Sequence, residues 1–162
     1  MENKQQIKFI ERQVKSVLTI DEKSHNGFTY TRGIIDEILR QQIPLIKDRN
    51  LFVTLGYTGE NLTEQESDKL EGIVTKVDLT EDNKLIYTIA FLERVANLYL
   101  SMHIPMSVEI PIKGKIIDGK YLTEVETMNY IDLVFDNPEE TIEKIKKAVD
   151  YIKELTLNLE VK

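Results

Sequence analysis

The apolar residues of this chain change their spacing along its length, and the spacing predicts an order of elements. Between Gln6 and Asp21, Ile7, Phe9, Val14, Val17, Leu18 and Ile20 come in patches with β-branched neighbours, which predicts one or two strands. Glu22 to Gly27 strings together Ser24, His25, Asn26 and Gly27 and predicts a turn. Thr31 stands where it can cap a helix whose Ile34, Ile35, Ile38 and Leu39 share one face. That pattern runs to Ile43, and Pro44 is expected to end it. Leu51 to Tyr57 predicts a short strand, and the polar, aperiodic stretch from Thr58 to Asp68 a loop.

Leu70 to Leu79 and Leu85 to Phe91 alternate as the arms of a hairpin, with Ile73, Val77 and Leu79 facing Leu85, Tyr87 and Ile89 across a turn at Glu81 to Lys84. Leu92, Val95, Ala96, Tyr99 and Leu100 then recur on one helical stripe that Pro105 closes. Ser107 to Ile117, Tyr121 to Glu126 and Asn129 to Phe135 predict three strands, the first two joined by an Asp118-Gly119 turn, with Pro111 at an edge or a bulge. Asn137, Pro138 and Glu140 hold the cap, first-turn and capping-box positions of a last helix. Its stripe of Ile142, Ile145, Val149, Ile152 and Leu155 is expected to close the domain. The sum is a single α+β domain over 1–162, mainly an antiparallel β-sheet or partly open barrel with about three helices, including a C-terminal amphipathic helix.

Composition narrows the function classes. A hydrophobic content of 41% suffices for a packed core, and the absence of cysteine excludes disulfides, thiolate metal sites and a cysteine nucleophile. The formal net charge of -7 opposes general attraction to nucleic acid or to anionic membranes, so neither is an expected partner. No signal-peptide core or membrane span is apparent, which predicts a cytoplasmic protein.

Candidate chemistry is sparse. His25 and His103 lack ligand-spaced companions, so no metal is expected; His25 reads as a solvated turn residue and His103 as a helix-end cation. Glu124 and Glu126 alternate as on a wet strand face, while Glu139 and Glu140 suit the positive end of the last helix. None of the seven glycines builds a phosphate loop, and Tyr87, Tyr99, Phe91 and Phe135 fall on periodic faces that core packing explains. No cofactor is expected.

Short runs add something more specific. His25-Asn26-Gly27-Phe28-Thr29-Tyr30 before a helix resembles the N-G-x-x-Y of the prohead proteases of tailed phages. Leu51 to Gly59 is similar to the strand that carries that family's catalytic histidine. The hairpin Gly72 to Phe91 follows as in the family, and Met102-His103-Ile104-Pro105-Met106-Ser107-Val108-Glu109-Ile110 resembles the segment that presents its serine. The likeness spans residues 20 to 137 and implies an assemblin-like barrel in which a histidine activates a serine. Under that likeness Ser107 is the serine, and Tyr57 occupies the histidine position. A phenol with a pKa of about 10 is protonated at neutral pH and does not serve as the base. Val108-Glu109 also replaces the family's Ser-Arg-Gly.

The resemblance therefore implies a protease-like fold with a degenerate site. The expected function is that of a noncatalytic phage or prophage protein, in the host cell or the virion, acting through protein contacts in head assembly or as a capsid-associated component. A phage-encoded inhibitor of a host factor and a divergent serine peptidase using Ser107 on capsid proteins are the alternatives. Capsid proteins are the expected partners, and a homo-oligomer would cover exposed strand edges.

Overall fold

A computed structural model describes residues 8–24, 27–57, 59–63, 68–95, 104–119 and 121–157. The main sheet consists of β1 (Phe9–Lys15), β2 (Phe52–Leu55), β3 (Leu70–Leu79), β4 (Leu85–Leu92), β5 (Met106–Glu109) and β8 (Tyr130–Phe135), in the spatial order β1-β4-β3-β2-β8-β5. Each neighbouring pair is antiparallel except β2 with β8. The sheet curls until its two edges approach: Ser16, just past β1, bridges Val108 of β5, and the Val17 amide donates to the Val108 carbonyl at 2.9 Å. The result is the partly open barrel of an α+β domain. Alternation drives the curl's interior, since Leu85, Tyr87, Ile89 and Phe91 of β4 are all fully buried while the residues between them are half-exposed.

The hairpin of β3 and β4 forms as its alternation predicts, with Val77 opposite Tyr87 and Leu79 opposite Leu85. Ile73 does not face Ile89 but Ala90, because the register shifts between Val74 and Lys76. One extra residue in β3 moves every pairing beyond it by one.

Helix α1 (Arg32–Lys47) starts where the Thr31 hydroxyl accepts the Ile34 amide at 3.4 Å. It does not stop at Pro44. The ring removes only the bond to the Arg40 carbonyl, and Pro44 is solvent-exposed, so that carbonyl can take water instead. One further turn buries Ile46 and lets the carbonyls of Pro44 and Leu45 accept the amides of Asp48 and Asn50. Burial of that turn outweighs the lost bond. Ile35, Ile38 and Gln42 of α1 are buried against the barrel core, where the Tyr87 hydroxyl donates to Gln42 Oε1 at 2.7 Å.

The expected strand from Ser107 to Ile117 is two strands in two sheets. Pro111, which has no amide hydrogen to donate, breaks it between β5 and β6 (Ile112–Ile117). β6 pairs with β7 (Tyr121–Thr127) as a separate hairpin. Its turn has Asp118 and Gly119 both left-handed, at φ 53° and 67°, as the Asp-Gly pair predicts. Helix α1 holds this hairpin through Gln41, which donates to the Val125 carbonyl and accepts the Thr127 amide.

Of the helix expected after β4, the described part is α2 (Glu93–Val95); Ala96, Tyr99, Leu100 and His103 lie outside the described residues, as do Thr58, His25 and Asn26. Helix α3 (Pro138–Leu157) begins as predicted, with Asn137 Oδ1 accepting the Glu140 amide and Glu140 accepting from the Asn137 side chain. It does not close the core. Thr141 is its one buried residue among those described, and Ile142, Val149, Ile152 and Leu155 are 42 to 58% exposed.

Candidate functional site

Strand alternation sorts β2, β8 and β5 into two faces. Val53, Ile131, Leu133 and Val108 point into the core, so their neighbours Thr54, Asp132, Ser107 and Glu109 point to the opposite face, where Thr54 is fully buried and the other three are half-exposed. The register sets Thr54, Asp132 and Glu109 side by side in one row across the three strands. Asp132 is its centre. One of its oxygens accepts the Thr54 hydroxyl at 2.8 Å and the Tyr57 amide at 3.3 Å. Partial burial pushes the Asp132 carboxyl above the usual aspartate range; bonds from Thr54 and from the Tyr57 and Gly56 amides oppose that rise, and the Glu109 charge beside it adds to it.

Asp132 thereby anchors the segment that leaves β2. Gly56, at φ 74°, turns the chain back. The Tyr57 ring then meets Tyr130 edge-on, with centroids 4.9 Å apart at 83°, while the Tyr130 hydroxyl donates to the Gly59 carbonyl at 2.7 Å. Asn129 completes the strap, its side chain accepting the Leu62 amide at 2.7 Å and donating to the Leu62 carbonyl at 3.0 Å. A side chain at Gly59 would fall within 2.5 Å of the Tyr57 hydroxyl. Tyr57 therefore has a packing role at the foot of this strap.

Ser107 lies on the other side of β8, opposite Val134. Its hydroxyl donates to Asp136 Oδ1 in a short bond. With Val17, Lys84, Glu109, Phe135 and Asp136 it lines an open recess beside the barrel seam, where the Lys84 ammonium donates to the carbonyls of Ser16 and Val17. The two residues that the sequence singled out thus flank one strand and are held by different aspartates. A carboxylate is a weaker base than the imidazole a serine nucleophile uses. Among the described residues, no group of three or more acidic or histidine side chains is arranged to hold a metal ion, and no helix is long and apolar enough to cross a membrane.

Sequence reasoning passed over Thr54 and Asp132. Their signal was present: each is a polar residue inside an apolar strand, Phe52-Val53-Thr54-Leu55 and Tyr130-Ile131-Asp132-Leu133-Val134. Comparison with family models, with curated proteins and with solved structures returns no match.

Replacement of Asp132 by Asn should expose the cost of its charge. A carboxyl whose folded-state pKa lies above its unfolded value binds its proton more tightly in the folded state, so it adds stability below the ordinary value of 3.8 and loses that contribution as pH rises through the raised value. Wild type should therefore gain stability over Asp132→Asn as the pH falls from 7 toward 4, measured by urea unfolding at each pH. Parallel curves for the two proteins would refute the effect.

Proposed function

We propose that the protein works by binding rather than by catalysis, as a noncatalytic phage or prophage protein that acts through protein contacts in head assembly or as a capsid-associated component. The observation that supports this most is α3, whose stripe leaves Ile142, Val149, Ile152 and Leu155 exposed to solvent, with Ile145 half-buried among them. An apolar stripe of that length is retained where something covers it. The phage setting draws on the order of sequence runs shared with the prohead proteases, and the curled sheet is in keeping with it. The noncatalytic part draws on Ser107, which is bonded to a carboxylate, and on Tyr57, which is packed against Tyr130.

The test is reconstitution with a capsid protein encoded in the same genome. Wild type and Ser107→Ala should both associate with it and leave it intact by mass spectrometry. Cleavage by wild type that Ser107→Ala removes would establish the peptidase instead, and absence of association would remove the capsid role.

A further inference from the structure

The stripe on α3 has a spacing and a charge pattern that choose among possible covers. Ile142, Ile145, Val149 and Ile152 follow one another at intervals of three, four and three, the seam of a two-heptad coiled coil. One flank of that seam carries Glu139, Lys146 and Lys153, each seven residues apart. The other carries Ala148 and Leu155, small and apolar, beyond Thr141, which is buried within its own chain. Of the remaining charges, Glu140 pairs with Lys144 and Glu143 with Lys147 within the helix, and neither Glu139 nor Lys153 belongs to those pairs.

We infer that α3 pairs antiparallel with α3 of a second copy of this chain. In an antiparallel pair the charged flank meets its own counterpart, so Glu139 of each copy faces Lys153 of the other, and Ile142 and Ile145 stack on Ile152 and Val149. The small flank meets itself at Ala148, which lets the helices approach closely. Lys146 meets its own copy near the two-fold axis, and its long exposed stem can carry the two charges apart. A parallel pair would set the charged flank against Thr141, Ala148 and Leu155 and would gain neither ion pair. Antiparallel helices also place each positive helix end beside a negative one. Such a contact is isologous and closes at two copies. A membrane surface fits less well, because the helix carries five acidic residues (Glu139, Glu140, Glu143, Asp150 and Glu154) against four lysines (Lys144, Lys146, Lys147 and Lys153) rather than a basic polar face. This pairing rests on the reading of α3 as a binding surface and names its occupant.

Sedimentation velocity of the full chain should show a dimer at tens of micromolar. Ile145→Asp with Ile152→Asp should give a monomer that still unfolds cooperatively, since these side chains lie outside the barrel core. Glu139→Lys should weaken the dimer at least several-fold, and Glu139→Lys with Lys153→Glu should restore it. Because the chain has no cysteine, Ala148→Cys alone should cross-link two copies under mild oxidation, and Ile142→Cys should not. A monomer at 100 μM, a dimer indifferent to the aspartate pair, cross-linking through Ile142→Cys, or stripe-dependent binding to anionic vesicles by a monomeric chain would each overturn the pairing. A monomer that still held capsid protein through α3 would overturn the pairing and leave the proposed function standing.

Discussion

Gly72→Val is expected to destabilise the protein by about 3 kcal/mol, the upper end of what forced overpacking costs. Gly72 sits in β3 between β2 and β4, paired with Val53 on one side and Phe91 on the other. A Cβ there would lie 2.6 Å from the Ala90 carbonyl oxygen and 3.2 Å from the Phe91 Cα. Those are backbone atoms of a central strand, and they cannot step aside as a side-chain end can. The crowding has a cause in the curl. β3 carries two irregularities, one on the β2 side where the register passes from Gly72 to Leu70, and one on the β4 side between Val74 and Lys76. Bulges bend and twist a strand, and a glycine between two of them lets the bent strand press against its neighbour. Gly33→Ala is the matched control. It lies in the first turn of α1, its new methyl group would have only the Thr31 hydroxyl at 4.0 Å, and alanine should stabilise the helix by up to about 1 kcal/mol. Urea unfolding of both variants checks the pair. Equal and small effects would mean that β3 is not clamped at Gly72.

The same strand shows how far a sequence discloses its fold. Alternation located the arms of the β3-β4 hairpin and two of its facing pairs, because a period of two is a local property of the chain. It could not place the extra residue at Thr75, since a bulge is fixed by what the neighbouring strands require. Pro44 misled for a related reason: the rule that proline ends a helix is local, while the burial of Ile46 that carries α1 onward is tertiary. Pro111 was expected at an edge or a bulge and falls instead in the break between β5 and β6, and nothing in Ser107 to Ile117 declares that the two halves join different sheets. Helix α3 was legible from its caps and stripe, and its solvent exposure was not, because amphipathicity specifies a face without saying what covers it. At the candidate site, Ser107 and Tyr57 came from likeness of runs. The row of Thr54, Asp132 and Glu109 needed the parallel pairing of β2 with β8, which joins segments 78 residues apart.

Tyr87→Phe should cost about 2 kcal/mol, although it removes a single oxygen. The Tyr87 hydroxyl is fully buried and donates to Gln42 Oε1, and burial holds that phenol well above its ordinary pKa, so it is a neutral donor at every physiological pH. Gln42 Nε2 has no hydrogen-bond partner in its buried position. Removing the hydroxyl would leave the whole amide unpaired inside the core, where an unsatisfied group costs about 1–3 kcal/mol. Gln42→Leu should cost less, about 1 kcal/mol, because it strands the hydroxyl but also removes the amide hydrogens that already lack an acceptor. With both changes nothing polar remains, so the double variant should unfold within about 1 kcal/mol of wild type and less readily than Tyr87→Phe alone. Losses that simply add across the cycle would show that the bond between α1 and β4 contributes little. A coupling of about 2 kcal/mol would show that this one polar contact fixes how α1 seats in the barrel. Because α1 in turn holds β7 through Gln41, the seating of α1 also sets where the outer hairpin stands.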